Sequence, residues 1–263
     1  MVSVIFPAAG QGKRMNAGVN KVFLELAGRP MLVRTLLRFS AVPEVGELIV
    51  VVGEDEIAAV SRLLVHVKGL KPYHVVAGGS ERQYSVWNGL KRASDDADVV
   101  LVHDAARPLV TSCTIEAVIA AARAQGVAIA AVPEKNTIKV VSETGIVRST
   151  PARSTLWAVQ TPQGFRKDIL IEANEKAEAD GFLGTDDASL VERLGRPVRV
   201  VMSDYSNIKV TTPEDLLVAE AFLRQAHGGV SELVHDAAHK AREKLRETLS
   251  VRQQPQSHEE ESK

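Results

Sequence analysis

The chain has 263 residues, 45% hydrophobic and 25% charged, with a formal net charge of -1 at neutral pH. Such a length and composition suit a globular protein that needs no disulfide or metal staple for its core. Near-neutral charge provides no global field for nucleic acid or an anionic membrane, so an anionic ligand must be caught by local cations. The one cysteine, Cys113, cannot form an intrachain disulfide, which fits a reducing compartment. The longest apolar run, Leu48 to Val52, falls far short of the ~20 residues of a membrane-spanning helix. No basic or signal-like stretch precedes the apolar run at Val2, so a cytoplasmic protein is expected.

Taken in chain order, short runs rich in Val and Ile predict strands at 2–6, 47–52, 73–76, 98–102, 129–132, 197–201 and 207–210. They read as continuous apolar stretches, the mark of strands buried on both faces. Helical patterns lie between them. In 111–125, Ile115, Val118, Ile119 and Ala122 share one face. A helix from 213 has a capping Thr212, Pro213 at its first position, and Glu214 and Asp215 to complement the dipole. This alternation predicts an α/β fold with a mostly parallel sheet flanked by helices, and ligands bound at the carboxyl ends of its strands.

Residues 134–156 break the rhythm, with two short β-like runs around Ser142-Glu143-Thr144-Gly145. They predict a hairpin, expected to project as an arm onto a second subunit, with packing on its own domain as the alternative. The main domain is expected over 1–227. In the tail, 228–263, an amphipathic helix is expected at 231–249 and disorder from about 251. His235 and His239 are spaced i, i+4 but lack a third ligand, and a solvated helix face is the better reading.

Chemistry concentrates in the loops. After the first strand comes Pro7-Ala8-Ala9-Gly10-Gln11-Gly12-Lys13-Arg14-Met15, small residues that admit a phosphate or base close to the backbone, followed by cations. It matches neither the Walker A spacing nor the dinucleotide fingerprint. Lys21 follows seven residues after Arg14, and two cations over a triphosphate are what nucleotidyl transfer needs. Gly78-Gly79-Ser80-Glu81-Arg82 leads into a helix expected from Gln83 that contains Ser85. His103-Asp104-Ala105-Ala106-Arg107-Pro108 follows a very apolar strand, and its Asp and Arg are read as holding ligand or metal. Lys209 sits in the apolar run 207–210, where an ammonium calls for an anionic partner, a substrate group or a plain salt bridge.

The motifs PAAGQGKRM, NKVFLEL, GGSERQYSV, VLVHDAARP, TPQGF, TDDAS and NIKVTTPEDL, in this order over roughly 2–226, resemble the 2-C-methyl-D-erythritol 4-phosphate cytidylyltransferase family. The resemblance implies a Rossmann-like nucleotidyltransferase fold, a Mg²⁺-dependent reaction of CTP with a polyol phosphate, and a homodimer linked by β-arms. It assigns the nucleotide to Pro7, Ala8, Ala9, Gly10, Gly79, Ser80, Ser85 and Ala105, and transition-state stabilisation to Arg14 and Lys21. The polyol phosphate falls to Asp104, Arg107, Thr185 and Lys209, with Thr137 and Arg153 reaching in from the neighbouring arm. Mg²⁺ is expected mainly on the CTP phosphates, with Asp104 as a further ligand. Asn20 departs from the family's usual Pro, and Ser80 stands where an acidic residue can occur. A ribitol 5-phosphate cytidylyltransferase and a non-catalytic nucleotide-binding regulator are the alternative readings.

Overall fold

A computed structural model describes residues 1–10 and 23–227. The elements in chain order are β1 (Val2–Pro7), β2 (Glu25–Leu26), β3 (Arg29–Pro30), α1 (Met31–Ser40), β4 (Val45–Val52), α2 (Ile57–Leu64), β5 (Tyr73–Ala77) and α3 (Arg82–Arg92). They continue with β6 (Val99–Val102), α4 (Ser112–Gln125), β7 (Val127–Pro133), β8 (Val140–Val141), β9 (Val147–Ser149) and β10 (Trp157–Arg166). The last are α5 (Lys167–Ala179), α6 (Asp187–Arg193), β11 (Arg199–Met202) and α7 (Pro213–His227). The chain divides into two units, Met1–Ala219 and Glu220–Lys263. Of the second, only the end of α7 is described, where Arg224 pairs with Glu220 at 3.0 Å.

The central sheet has seven strands in the order β11-β7-β10-β6-β1-β4-β5. All neighbouring pairs are parallel except those of β10, which runs antiparallel to both β6 and β7. Its central strands alternate between two cores. Val2, Val4, Phe6, Leu48, Val50, Val99 and Leu101 face a core closed by α1, α2 and α4. Ile5, Ile49, Val51, Val100 and Val102 face a second core closed by α3, α5 and α6. Helices on both faces explain why these strands read as unbroken apolar runs. From β1 the chain builds outward through β4 and β5, then returns to place β6 on β1's other side. The crevice between β1 and β6 is therefore a topological switch point.

Six of the seven expected strands are present within a few residues of their predicted ends. The exception is 207–210, which is irregular rather than a strand. Asn207 is buried there and donates through Nδ2 to Gln160 Oε1 and to the Thr161 carbonyl, both at 2.9 Å. Val210 N donates to the Ala106 carbonyl at 2.9 Å. The segment is fastened by these separate bonds and not by a ladder.

Strand β10 was not expected, because Thr161-Pro162-Gln163-Gly164 carries turn residues into the middle of a sheet. The pairing with β7 shifts register between Val159 and Gln163, and such a bulge tolerates a residue with no N–H to donate. Gly164 is needed for packing. A Cβ there would stand 2.8 Å from Val118 of α4 and 2.9 Å from Leu101 of β6.

Helix α4 begins at Thr111, whose side chain accepts from Thr114 N, and buries Ile115, Val118, Ile119 and Ala122 as its periodicity predicts. At the start of α7, Thr212 Oγ1 accepts from Asp215 N at 3.3 Å, while Asp215 accepts from the amides of Thr211 and Thr212. The hairpin forms as a separate two-stranded antiparallel sheet, β8 with β9. Its turn closes through Gly145 N to the Ser142 carbonyl, with Gly145 at φ 81°, a left-handed conformation that favours glycine. The tail expectations, the 231–249 helix and His235/His239 included, lie outside the described residues.

Candidate active site

Three loops meet at the carboxyl ends of β1, β5 and β6. Ala8 N donates to the Val51 carbonyl and Gly78 N to the Val52 carbonyl, each at 2.7 Å, so the loops after β1 and β5 are both pinned to β4. A Cβ on Gly78 would stand 2.7 Å from the Ala9 Cβ, so only glycine lets these loops touch. Ser85, buried in the first turn of α3, accepts from Gly79 N and donates to the Glu81 carbonyl, both at 3.1 Å. It thereby holds the Gly79–Glu81 turn open toward β1.

The loop after β6 carries the charges. Asp104 is buried, and its carboxylate lies 3.0 Å from Lys209 Nζ, 3.3 Å from Arg107 Nε and 4.0 Å from Arg82 Nε. Burial alone would raise its pKa, but Lys209, Arg107 and Arg82 together overcome it and hold the carboxyl at about 2. Arg107 also donates to the Asn207 carbonyl at 2.7 Å, which ties this loop to the one bearing Lys209. Arg82 pairs with the buried Asp187 at 2.7 Å. Burial pushes the Asp187 carboxyl upward, against the pull of Arg82.

His103 sets the loop's geometry. Its Nε2 lies 3.1 Å from the Arg107 carbonyl and its Nδ1 3.1 Å from Thr161 Oγ1, which accepts from Asp104 N at 3.0 Å. A carbonyl only accepts, so Nε2 carries the proton and Nδ1 accepts from the Thr161 hydroxyl. The ring packs against Phe6 and Phe39, and burial lowers its pKa to about 3. A neutral, buried imidazole is a structural clamp for the backbone of Asp104 and Arg107. From α1, Thr35 Oγ1 approaches the Ala105 carbonyl at 2.8 Å and adds a second clamp.

The resulting cavity is lined by Pro7, Ala8, Ala9 and Gly10 on one side, Gly79, Ser80 and Ser85 on a second, and Asp104, Ala105 and Lys209 on a third. These are ten of the residues singled out in the sequence. Arg107 stands behind Asp104 and does not line the cavity. Thr185 lies outside it, two residues before Asp187. Thr137 and Arg153 are exposed on the hairpin segment, where Arg153 Nη1 donates to the Lys135 carbonyl at 3.2 Å. Arg14 and Lys21 lie outside the described residues. Sequence reasoning missed Arg82, which lines the cavity, and also Gln83, Thr161 and Asn207. For the first two, the signal was their place inside GGSERQYSV; for the others, their place in the TPQGF and NIKVT motifs.

A close backbone surface able to take a base, set beside charged groups able to take phosphates, is the division of labour of a nucleotidyltransferase. The family model described as 2-C-methyl-D-erythritol 4-phosphate cytidylyltransferase (IspD) matches residues 2–225, and the chain belongs to that family. A relative of that name from Geotalea uraniireducens is 52% identical over 229 residues, covering 86% of this chain and 98% of its own. Another from Bacillus pumilus is 52% identical over 226 residues, again covering 86% and 98%. Among solved structures, the 4-diphosphocytidyl-2C-methyl-D-erythritol synthase of Anaerococcus prevotii superposes with a TM-score of 0.76 at 34% identity, covering 85% of this chain and 96% of its own. The 2-C-methyl-D-erythritol 4-phosphate cytidylyltransferase of Thermus thermophilus gives 0.70 at 35% identity, with 84% and 98% covered.

Proposed function

We propose that this chain transfers the cytidylyl group of CTP to 2-C-methyl-D-erythritol 4-phosphate, releasing pyrophosphate and forming 4-diphosphocytidyl-2-C-methyl-D-erythritol for isoprenoid biosynthesis in the cytoplasm. The observation that carries the reading is the junction, at one switch point, of the small-residue wall with the Asp104–Lys209 wall. Pro7, Ala8, Ala9, Gly10, Gly79, Ser80, Ser85 and Ala105 take the cytidine. Asp104, Thr185 and Lys209 take the polyol phosphate, with Arg107 bracing Asp104 from behind. Arg14 and Lys21 grip the triphosphate.

The attacking group is a phosphate monoester whose second pKa near 6 leaves it largely dianionic at neutral pH. Its oxygen attacks the α-phosphorus in line, the bond to the bridging oxygen breaks, and pyrophosphate leaves. No general base is needed, in keeping with a neutral His103 that serves only as a clamp. The chain supplies positioning and fixed charge. Among the described residues no cluster of His, Cys, Asp or Glu forms a metal cage. A Mg²⁺ carried on the triphosphate needs one or two carboxylate oxygens at most. Asp104, kept ionised by its three cations, is the residue to provide one. Bound there, the ion would neutralise phosphate charge.

The test is pyrophosphate release from purified protein with Mg²⁺ and CTP, using methylerythritol 4-phosphate, ribitol 5-phosphate or no acceptor. Release with the first acceptor alone is expected. Release with ribitol phosphate would move the substrate to the alternative polyol, and release with neither would leave a nucleotide-binding regulator.

The arm is proposed to join two copies of the chain and to carry Thr137 and Arg153 into the neighbouring site. The support is apolar surface on the hairpin, with Val141 48%, Ile146 66% and Val147 53% exposed. Such a patch on a small two-stranded sheet calls for a cover. Replacing Val141 and Ile146 together by Asp is expected to convert a dimer to monomers in sedimentation velocity and to lower turnover at least tenfold. A variant that sediments like the wild type would remove the arm from the interface.

A further inference from the structure

The first turn of α3 does more than border the nucleotide wall. Gln83 is buried, and its side-chain amide is engaged at both ends with a segment about a hundred residues away. Nε2 donates to the Phe182 carbonyl at 3.0 Å, and Oε1 accepts from Gly184 N at 2.9 Å. Both partners are backbone groups of fixed polarity, so the amide has one orientation. Next to it, Arg82 reaches Asp187 at 2.7 Å. From β10, Gln163 Nε2 donates to Asp186 Oδ2 at 2.7 Å, and Gln163 Oε1 accepts from Ala188 N at 3.1 Å. Three side chains thus hold the run from Phe182 to Ala188, and Thr185 is exposed between the attachments at Gly184 and Asp186.

We propose that Gln83 is a positioning residue for the acceptor, its two bonds to the backbone at Phe182 and Gly184 holding Thr185 at a fixed place. This rests on the reading of Thr185 as an acceptor contact. Arg82 and Gln163 fix the later part of the run, beyond Thr185. Without Gln83, no side-chain hydrogen bond among the described residues ties the part before Thr185 to α3, and the carbonyl of Phe182 and the amide of Gly184 must turn to water. The polyol would then meet Thr185 in a range of positions, while Gly79, Ser80 and Ser85, whose turn is closed by its own hydrogen bonds, would meet CTP as before. The cost therefore falls on one substrate.

Steady-state kinetics of Gln83→Met, Gln83→Glu and Thr185→Val, each with CTP and methylerythritol 4-phosphate, test this. Gln83→Met keeps the volume and loses both bonds. It should raise the KM for the polyol phosphate about tenfold, with the KM for CTP within about twofold. Gln83→Glu retains an acceptor for Gly184 N and should fall between, which carries the test if the Met variant does not fold. Thr185→Val should raise the same KM, and the double variant should be no worse than the more impaired single variant, as for two residues acting through one contact. An effect of Thr185→Val with an unchanged Gln83→Met overturns the role of Gln83 alone. An unchanged Thr185→Val overturns the acceptor reading of the loop and the role of Gln83 with it. Equal rises in both KM values would make Gln83 a general structural residue and overturn the proposal too.

Discussion

Replacing Asp104 by Asn is expected to lower the melting temperature by about 5–10 °C and kcat/KM about a hundredfold. The amide fits the same space, so the effect is one of charge. Lys209, Arg107 and Arg82 would face one another without the carboxylate that now separates them. Removing one partner from a buried ion cluster costs roughly 3–5 kcal/mol. The titration of Asp104 gives a second figure. A carboxyl at about 2 in the folded chain against 3.8 ordinarily contributes roughly 2 kcal/mol at neutral pH.

Between those two values the unfolded chain binds more protons, so stability rises with pH across the window. The contribution is complete above about pH 4 and is lost as the pH falls toward 2. The stability gap between wild type and Asp104→Asn should therefore be flat near neutrality and shrink in acid, as followed by urea melts at stepped pH. Sulfate should raise the melting temperature of the variant and barely move the wild type, because the three cations would accept an external anion. A variant as stable as the wild type, with the same pH profile, would mean that the cluster is not held by Asp104.

The same cluster shows what the sequence could and could not disclose. An Asp, an Arg and a Lys at loop positions announced charge, and the lysine within an apolar run demanded an anion. That the anion inside the protein is Asp104 follows from Asn207, whose buried amide brings its segment against β10 and so places Lys209. Nothing local marks an asparagine as such a tie. Strand β10 was hidden for a related reason. Its Thr, Gln and Gly each serve a partner in another element: Thr161 the His103 clamp, Gln163 the start of α6, and Gly164 the approach of α4. Local propensity describes none of these. The parallel strands were legible because burial on both faces leaves one composition that works. Helix α4 was legible from the period of its apolar face, and α7 because its cap is local chemistry. Pro7 to Gly10 could be read because close approach to a ligand restricts residue type; the use of Gln83 could not, because its partners are backbone groups about a hundred residues away.

Replacing Lys21 by Ala is expected to lower kcat by about a thousandfold, with the KM for the polyol phosphate changed only a few-fold. The reason lies in the charge balance of the described cavity. Its lining holds two cations, Arg82 and Lys209, and two carboxylates, Glu81 and Asp104. Arg82 is engaged by Asp187 and Lys209 by Asp104, so this lining offers no net positive charge to a triphosphate. In-line displacement adds charge to the oxygens around the α-phosphorus, and a prearranged cation there stabilises the transition state more than the ground state. The proposed function gives this task to Arg14 and Lys21, which follow Gly10 in the sequence. Loss of a single charge-stabilising group in phosphoryl transfer costs ~10³ or more in turnover. Lys21→Arg keeps the charge with a different shape and should recover part of the rate. Single-turnover measurements at saturating CTP separate the chemical step from binding. Unchanged turnover with an altered KM would assign Lys21 to holding CTP and leave the transition state to Arg14.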